Sequence, residues 1–362
     1  MAWIMADTYG LRIVPDDGGK PLILDASTRY ASYLGTAAVK AASASYGGFK
    51  PQPANSKVLI LPRNVVRVGV GDQSGPPVNY ISSMSFNGSL NIGISTIKAN
   101  QTSALDIGSV DVYSIQYAAN PSAQYGLRIT NGANFMEISD ASLSGFVTFR
   151  GIVDINGQWD IPGSVLNLGG NYIVFARWSN TGTPLFLDKD TNSIRTYGAF
   201  SSVNGSEQGG LVSGVQIVIV SSGFSPALPA SGYGLVIRNS SGSITYSSKY
   251  PPVMWSDAYY DFGSYFDTGD STGDRQAWIN PTGSVNQPMV PLCVLGTQRG
   301  DYTRSGGNYQ YRKMLLSGMM MSGNSVTTSR AKSTGSDMPL YTYPRAMQIA
   351  CQLPCIDASY YF

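Results

Sequence analysis

The chain has 362 residues, and only 13% of them are charged: 24 Lys and Arg against 22 Asp and Glu, for a net charge of +2. No basic run is available to track a phosphate backbone, so nucleic acid is not an expected partner. The absence of any histidine removes Ser–His–Asp and Cys–His nucleophile activation, along with the His ligands of most catalytic zinc sites.

The first element is the hairpin word YGLRIVPDDGG at Tyr9, where Leu11 and Ile13 alternate with other residues before a Pro-Asp-Asp-Gly turn and the apolar run Leu22-Ile23-Leu24. Residues 34–44, LGTAAVKAASA, are Ala-rich and predict a short helix, as do residues 101–106. VVRVGV at Val65 predicts a strand, and the Gly-rich VGVGDQSG that overlaps it reads as a turn, because no helix follows to face a phosphate.

VDVYSIQYAANPSAQ then runs from a β-branched strand into a Pro/Ala/Ser linker, and the opening word returns as YGLRITNGA at Tyr125. YIVFARW at Tyr172 repeats the mid-segment strand. VQIVIVSSGFSPALPASG repeats the exit, and YGLVIRNSSG at Tyr233 opens the word a third time. MVPLCVLG at Met289 is the third mid-segment strand. Copies a small domain's length apart predict an all-β chain of three tandem, related, sandwich-like domains at 1–121, 122–230 and 231–362.

The third segment carries the acid-dense stretch SDAYYDFGSYFDTGDSTGD, residues 256–274. Two carboxylates flanking a sugar could hydrolyse a glycoside, and Asp interspersed with Gly could ligate Ca²⁺. The stretch lacks the Glu that closes an EF-hand loop, and Asp, Gly, Ser and Thr are ordinary loop residues. Tyr beside Asp also resembles a glycan- or protein-contacting surface, since Tyr gives wide area at low entropic cost. The expected contact residues are Asp257, Tyr259, Tyr260, Asp261, Tyr265, Asp267 and Asp270. No metal site and no cofactor are expected.

Downstream, MLLSGMMMSG places Met319, Met320 and Met321 either in a gap-filling core strand or at a subunit interface. The terminal Tyr360, Tyr361 and Phe362 are apolar for a free end, and predict docking on this chain or a neighbouring one. Cys293, Cys351 and Cys355 are an odd count without a CxxC pattern, which predicts free thiols. The start MAWIMADTYG has neither the basic nor the apolar region of a secretory signal, and no apolar run is long enough to span a bilayer. The low charge suits a surface lying permanently against partners, and equally a neutral secreted β protein.

Residues 9–35, YGLRIVPDDGGKPLILDASTRYASYLG, resemble the start of tail-associated proteins of tailed bacteriophages, which open with Tyr-Gly-Leu-x-Ile, an Asn/Asp-Gly turn, an apolar strand and a D-x-x-x-R segment, here Asp25 and Arg29. The second copy has Asp140 without the Arg, and the third has neither. The resemblance implies a non-enzymatic structural component of the virion, at the tail tip, baseplate or fibre attachment. It would fold in the host cytoplasm, contact other virion tail proteins and form a homo-oligomer about the tail axis. The alternatives are an adhesin whose Tyr/Asp loop contacts host surface glycan, and a glycan-degrading enzyme using Asp261, Asp267 or Asp270.

Overall fold

A computed structural model describes residues 10–13, 20–25, 31–40, 42–69, 77–97, 106–116, 126–131, 134–139, 143–169, 171–198, 208–226, 228, 235–239, 241–266, 277–303, 310–339 and 346–362. The chain is all-β: apart from one turn of α-helix at Gly163–Leu166 and one 3₁₀ turn at Ala358–Tyr360, its described elements are strands. Among the described residues no helix is long and apolar enough to cross a membrane.

Each of the three opening words folds as a two-stranded antiparallel ribbon: Gly10–Ile13 with Leu22–Asp25, Gly126–Asn131 with Asn134–Ser139, and Val236–Arg238 with Ile244–Ser247. The third turn shows why the word works. The Asn239 side-chain oxygen accepts the N–H groups of Ser241 (3.1 Å) and Ser243 (2.9 Å), while Gly242 takes the positive φ of 80° that closes the reversal.

The first segment, joined by Leu143–Ser144 of the second, builds two four-stranded sheets. One is ordered Leu143–Ser144, Ala31–Val39, Gly108–Gln116, Ser56–Pro62; the other Ala44–Tyr46, Leu90–Ile97, Val78–Phe86, Val66–Val68. Leu34, Val39, Val78, Ile81, Leu90, Val110 and Val112 pack between them. The helix expected at 34–44 is instead mostly the strand Ala31–Val39, hydrogen-bonded to Gly108–Gln116. Tertiary pairing overrides the Ala propensity there, and Gly35 leaves room for the Phe49 ring, whose Cδ1 would lie 2.7 Å from a Cβ. The second expected helix, 101–106, lies outside the described residues except at Asp106.

A third sheet of 13 strands takes up most of the remaining chain. Its centre is Leu211–Ser222, paired on one side with Phe146–Asn156 and on the other with Asn171–Arg177, which continues to Pro288–Pro291 and Ile356–Asp357. In the other direction it runs through Gln158–Asp160, Ser193–Thr196 and Asn180–Asp188 to Gln310–Ser322. Strands from before and after residue 230 therefore share one sheet, while the linkers drawn around 121 and 230 lie outside the described residues.

The central strands are buried on both faces. Ile217 and Ile219 enter one hydrophobic cluster, and Val218 and Val220 enter a second; Val174 and Phe175 divide the same way. That is why VQIVIV and YIVFA are continuous apolar runs and not alternating ones. Each fully buried Phe or Val side chain there contributes about 1.5–3 kcal/mol.

Candidate functional site

The strand Tyr259–Phe262 pairs with Cys351–Pro354 and lies between the two clusters, so adjacent tyrosines point into different cores. Tyr260 has 0% of its surface exposed, and its hydroxyl donates to the Asn324 carbonyl at 2.8 Å. Burial pushes its pKa upward. Tyr259 is 8% exposed; the Lys57 ammonium sits 4.3 Å from its ring centre and 3.5 Å from Asp257, to which the Tyr259 hydroxyl donates at 3.3 Å.

Of the expected contact residues, Asp257 and Asp261 carry exposed side chains, and Tyr265 is half-buried and accepts from Gln298 at 3.2 Å. Asp267 and Asp270 lie outside the described residues. Met319, Met320 and Met321 are buried in this chain's own core, as the core-strand reading expects. Tyr361 is also buried, and its hydroxyl accepts the Met254 N–H at 2.9 Å, so the terminus docks on its own chain. Phe362 is half-buried against the same cluster, and Tyr360 is exposed.

The tyrosine strand acts as a support. Tyr259 exchanges two backbone hydrogen bonds with Thr282 (3.2 and 2.8 Å), and the neighbouring Ile279 exchanges two with Val326 (both 2.9 Å). These hold residues 277–287, AWINPTGSVNQ, which contain no charged side chain. At Gly283 (φ +83°) a Cβ would lie 2.2 Å from the Asp257 carbonyl oxygen, so only glycine lets the segment pack that close. The Asp357 carboxylate accepts the N–H groups of Asn286 (2.9 Å), Gln287 (3.3 Å) and Ser359 (2.9 Å). Burial alone would raise its pKa, but these backbone donors together outweigh that and hold it below the usual carboxylate value.

Trp278 stands out on this segment. Trp178 and Trp255 are each 3% exposed and Trp159 packs on Phe149, whereas Trp278 is 36% exposed. The signal for it in the sequence is a tryptophan set in a run without charges.

Several other ionisable groups pair within the chain. Arg63 holds Asp111 through Nε (3.1 Å) and Nη2 (2.9 and 2.8 Å), Thr36 donates to the same carboxylate, and Asn171 of the long sheet donates to Thr36 at 2.9 Å. Lys332 and Arg195 flank buried Asp188 at 2.9 and 3.4 Å. The three cysteines are buried and free, and burial pushes the thiols of Cys351 and Cys355 to about 12, leaving them protonated and unreactive at neutral pH. An open groove of about 310 Å³ lies between the edge strand Ser56–Pro62 and Cys351–Pro354, with Tyr259 and Met84 in its wall.

A family model matches the chain over residues 10–338, and that family is described as one of unknown function (DUF6453). No curated protein and no solved structure matches the chain.

Proposed function

We propose that the chain, which belongs to the DUF6453 family, is a non-enzymatic structural component of a bacteriophage tail, built from three related β modules and assembling through their surfaces. The observation that carries this reading is the placement of reactive and charged groups. Arg63–Asp111, Lys332–Asp188–Arg195 and Asp357 tie segments of the chain together, and the thiols are sealed in the core. What faces outward at 277–287 is uncharged, with Trp278 exposed among polar side chains. The partners in this reading are other virion tail proteins and further copies of the chain, repeated about the tail axis.

A second reading, an adhesin contacting host surface glycan, is favoured by exposed Trp278 and not by Tyr259 and Tyr260, whose side chains are buried. Mass spectrometry of gradient-purified particles tests the main reading. The chain is expected among the virion proteins at a fixed ratio to the other tail components; its recovery only from the soluble lysate contradicts the assignment.

A further inference from the structure

We infer that the segment 277–287 is a binding surface for an uncharged saccharide, with Trp278 as the stacking platform and Asn280 as the main hydrogen-bonding side chain. This rests on the reading of the chain as a component at the virion surface.

The geometry begins with alternation along the chain. Ile279 packs against the first hydrophobic cluster and bridges Val326, so Trp278 and Asn280 emerge together on the opposite, outer face. The Asn280 side-chain oxygen accepts from the Ser325 hydroxyl at 2.6 Å, which fixes the amide's orientation. Among the described residues, neither the Asn280 amide N–H₂ nor the Trp278 indole N–H has a protein partner. The two exposed residues put an aromatic ring near N–H donors that have no protein partner, the combination that grips a sugar ring: apolar C–H groups on the aromatic plane, hydroxyls on the donors.

The surface is also preformed. Asn324, at the turn beside Ser325, is held at three atoms. Its carbonyl accepts from Tyr260 (2.8 Å), its side-chain oxygen accepts from Arg177 (3.0 Å), and its amide donates to the Asn286 carbonyl (3.3 Å). Thr282, Asn286 and Gln287 are pinned through their backbone to Tyr259 and Asp357. A site held this way loses little entropy on binding.

Charge selects among occupants. The 277–287 segment carries no ionisable side chain, and adjoining Asp257 is matched by Lys57 at 3.5 Å. The described residues of this segment offer no cationic side chain to a phosphate, a sialic acid or an acidic peptide, and their neutral donors fit an uncharged glycan.

The test uses the full chain on an array of neutral and sialylated oligosaccharides, with Trp278→Ala, Asn280→Ala and Asp261→Asn variants. Wild type is expected to be retained on at least one neutral member. Trp278→Ala should weaken that binding by at least about tenfold, Asn280→Ala should weaken it too, and Asp261→Asn should leave it unchanged, all with unchanged melting curves. No retention on any neutral glycan, retention only on charged ones, or wild-type binding by Trp278→Ala overturns the inference. So does loss of a normally folded Trp278→Ala chain from virions, which makes the surface a protein interface. Absence of the wild-type chain from virions refutes the tail reading instead, and leaves the array result to stand or fall alone.

Discussion

Tyr260 and Asn324 are 64 residues apart in sequence, yet the fully buried Tyr260 hydroxyl donates to the Asn324 carbonyl at 2.8 Å, and this bond props the turn beside the uncharged outer segment. Tyr260→Phe removes the donor and strands a carbonyl. It is expected to lower unfolding free energy by about 1–3 kcal/mol, read from denaturant midpoints. An unchanged midpoint rejects the supporting role.

Arg63 and Asp111 join the first sandwich to the long sheet through Thr36 and Asn171, with side chains only 12% and 1% exposed. Asp111→Ala leaves the guanidinium without its partner in a dry site, and should cost about 3–5 kcal/mol. Replacing both, as Arg63→Met with Asp111→Leu, should recover most of that loss. If the double variant is as unstable as the sum of the singles, the pair is not acting as a unit.

Asp357 gives the chain an acid-labile clasp. Its folded pKa lies below the ordinary value of 3.8, so its contribution is present above that value and is lost as pH falls through the folded value. Wild type and Asp357→Asn should therefore differ most near neutral pH and converge below about pH 4. Parallel stability curves across that range contradict the assignment.

Burial raises the thiols of Cys351 and Cys355 to about 12 and that of Cys293 well above its ordinary value. At pH 8 iodoacetamide is expected to leave all three unmodified in the native chain and to label all three in denaturant, counted by intact mass. Native labelling at the rate of a free thiol shows that the core opens.

The strands and hairpins were legible because local rules wrote them: alternation in Leu11/Ile13, Leu127/Ile129 and Leu235/Ile237, each followed by turn residues, folds as antiparallel ribbons in all three places. The stretch at 34–44 was misread because alanine propensity is visible locally while its pairing with Gly108–Gln116 is not. Tyr259 and Tyr260 illustrate the other limit. Two neighbouring aromatics suggest a contact surface, but a strand between two cores buries both, and no local pattern reports the second core. Trp278 was missed for the converse reason: its exposure depends on the bridge from Ile279 to Val326.

Electron microscopy of particles gold-labelled with an antibody to this chain tests the tail assignment most directly. The account predicts label at the tail's distal end, in several copies per particle. Label on the capsid, or particles that carry none, contradicts it.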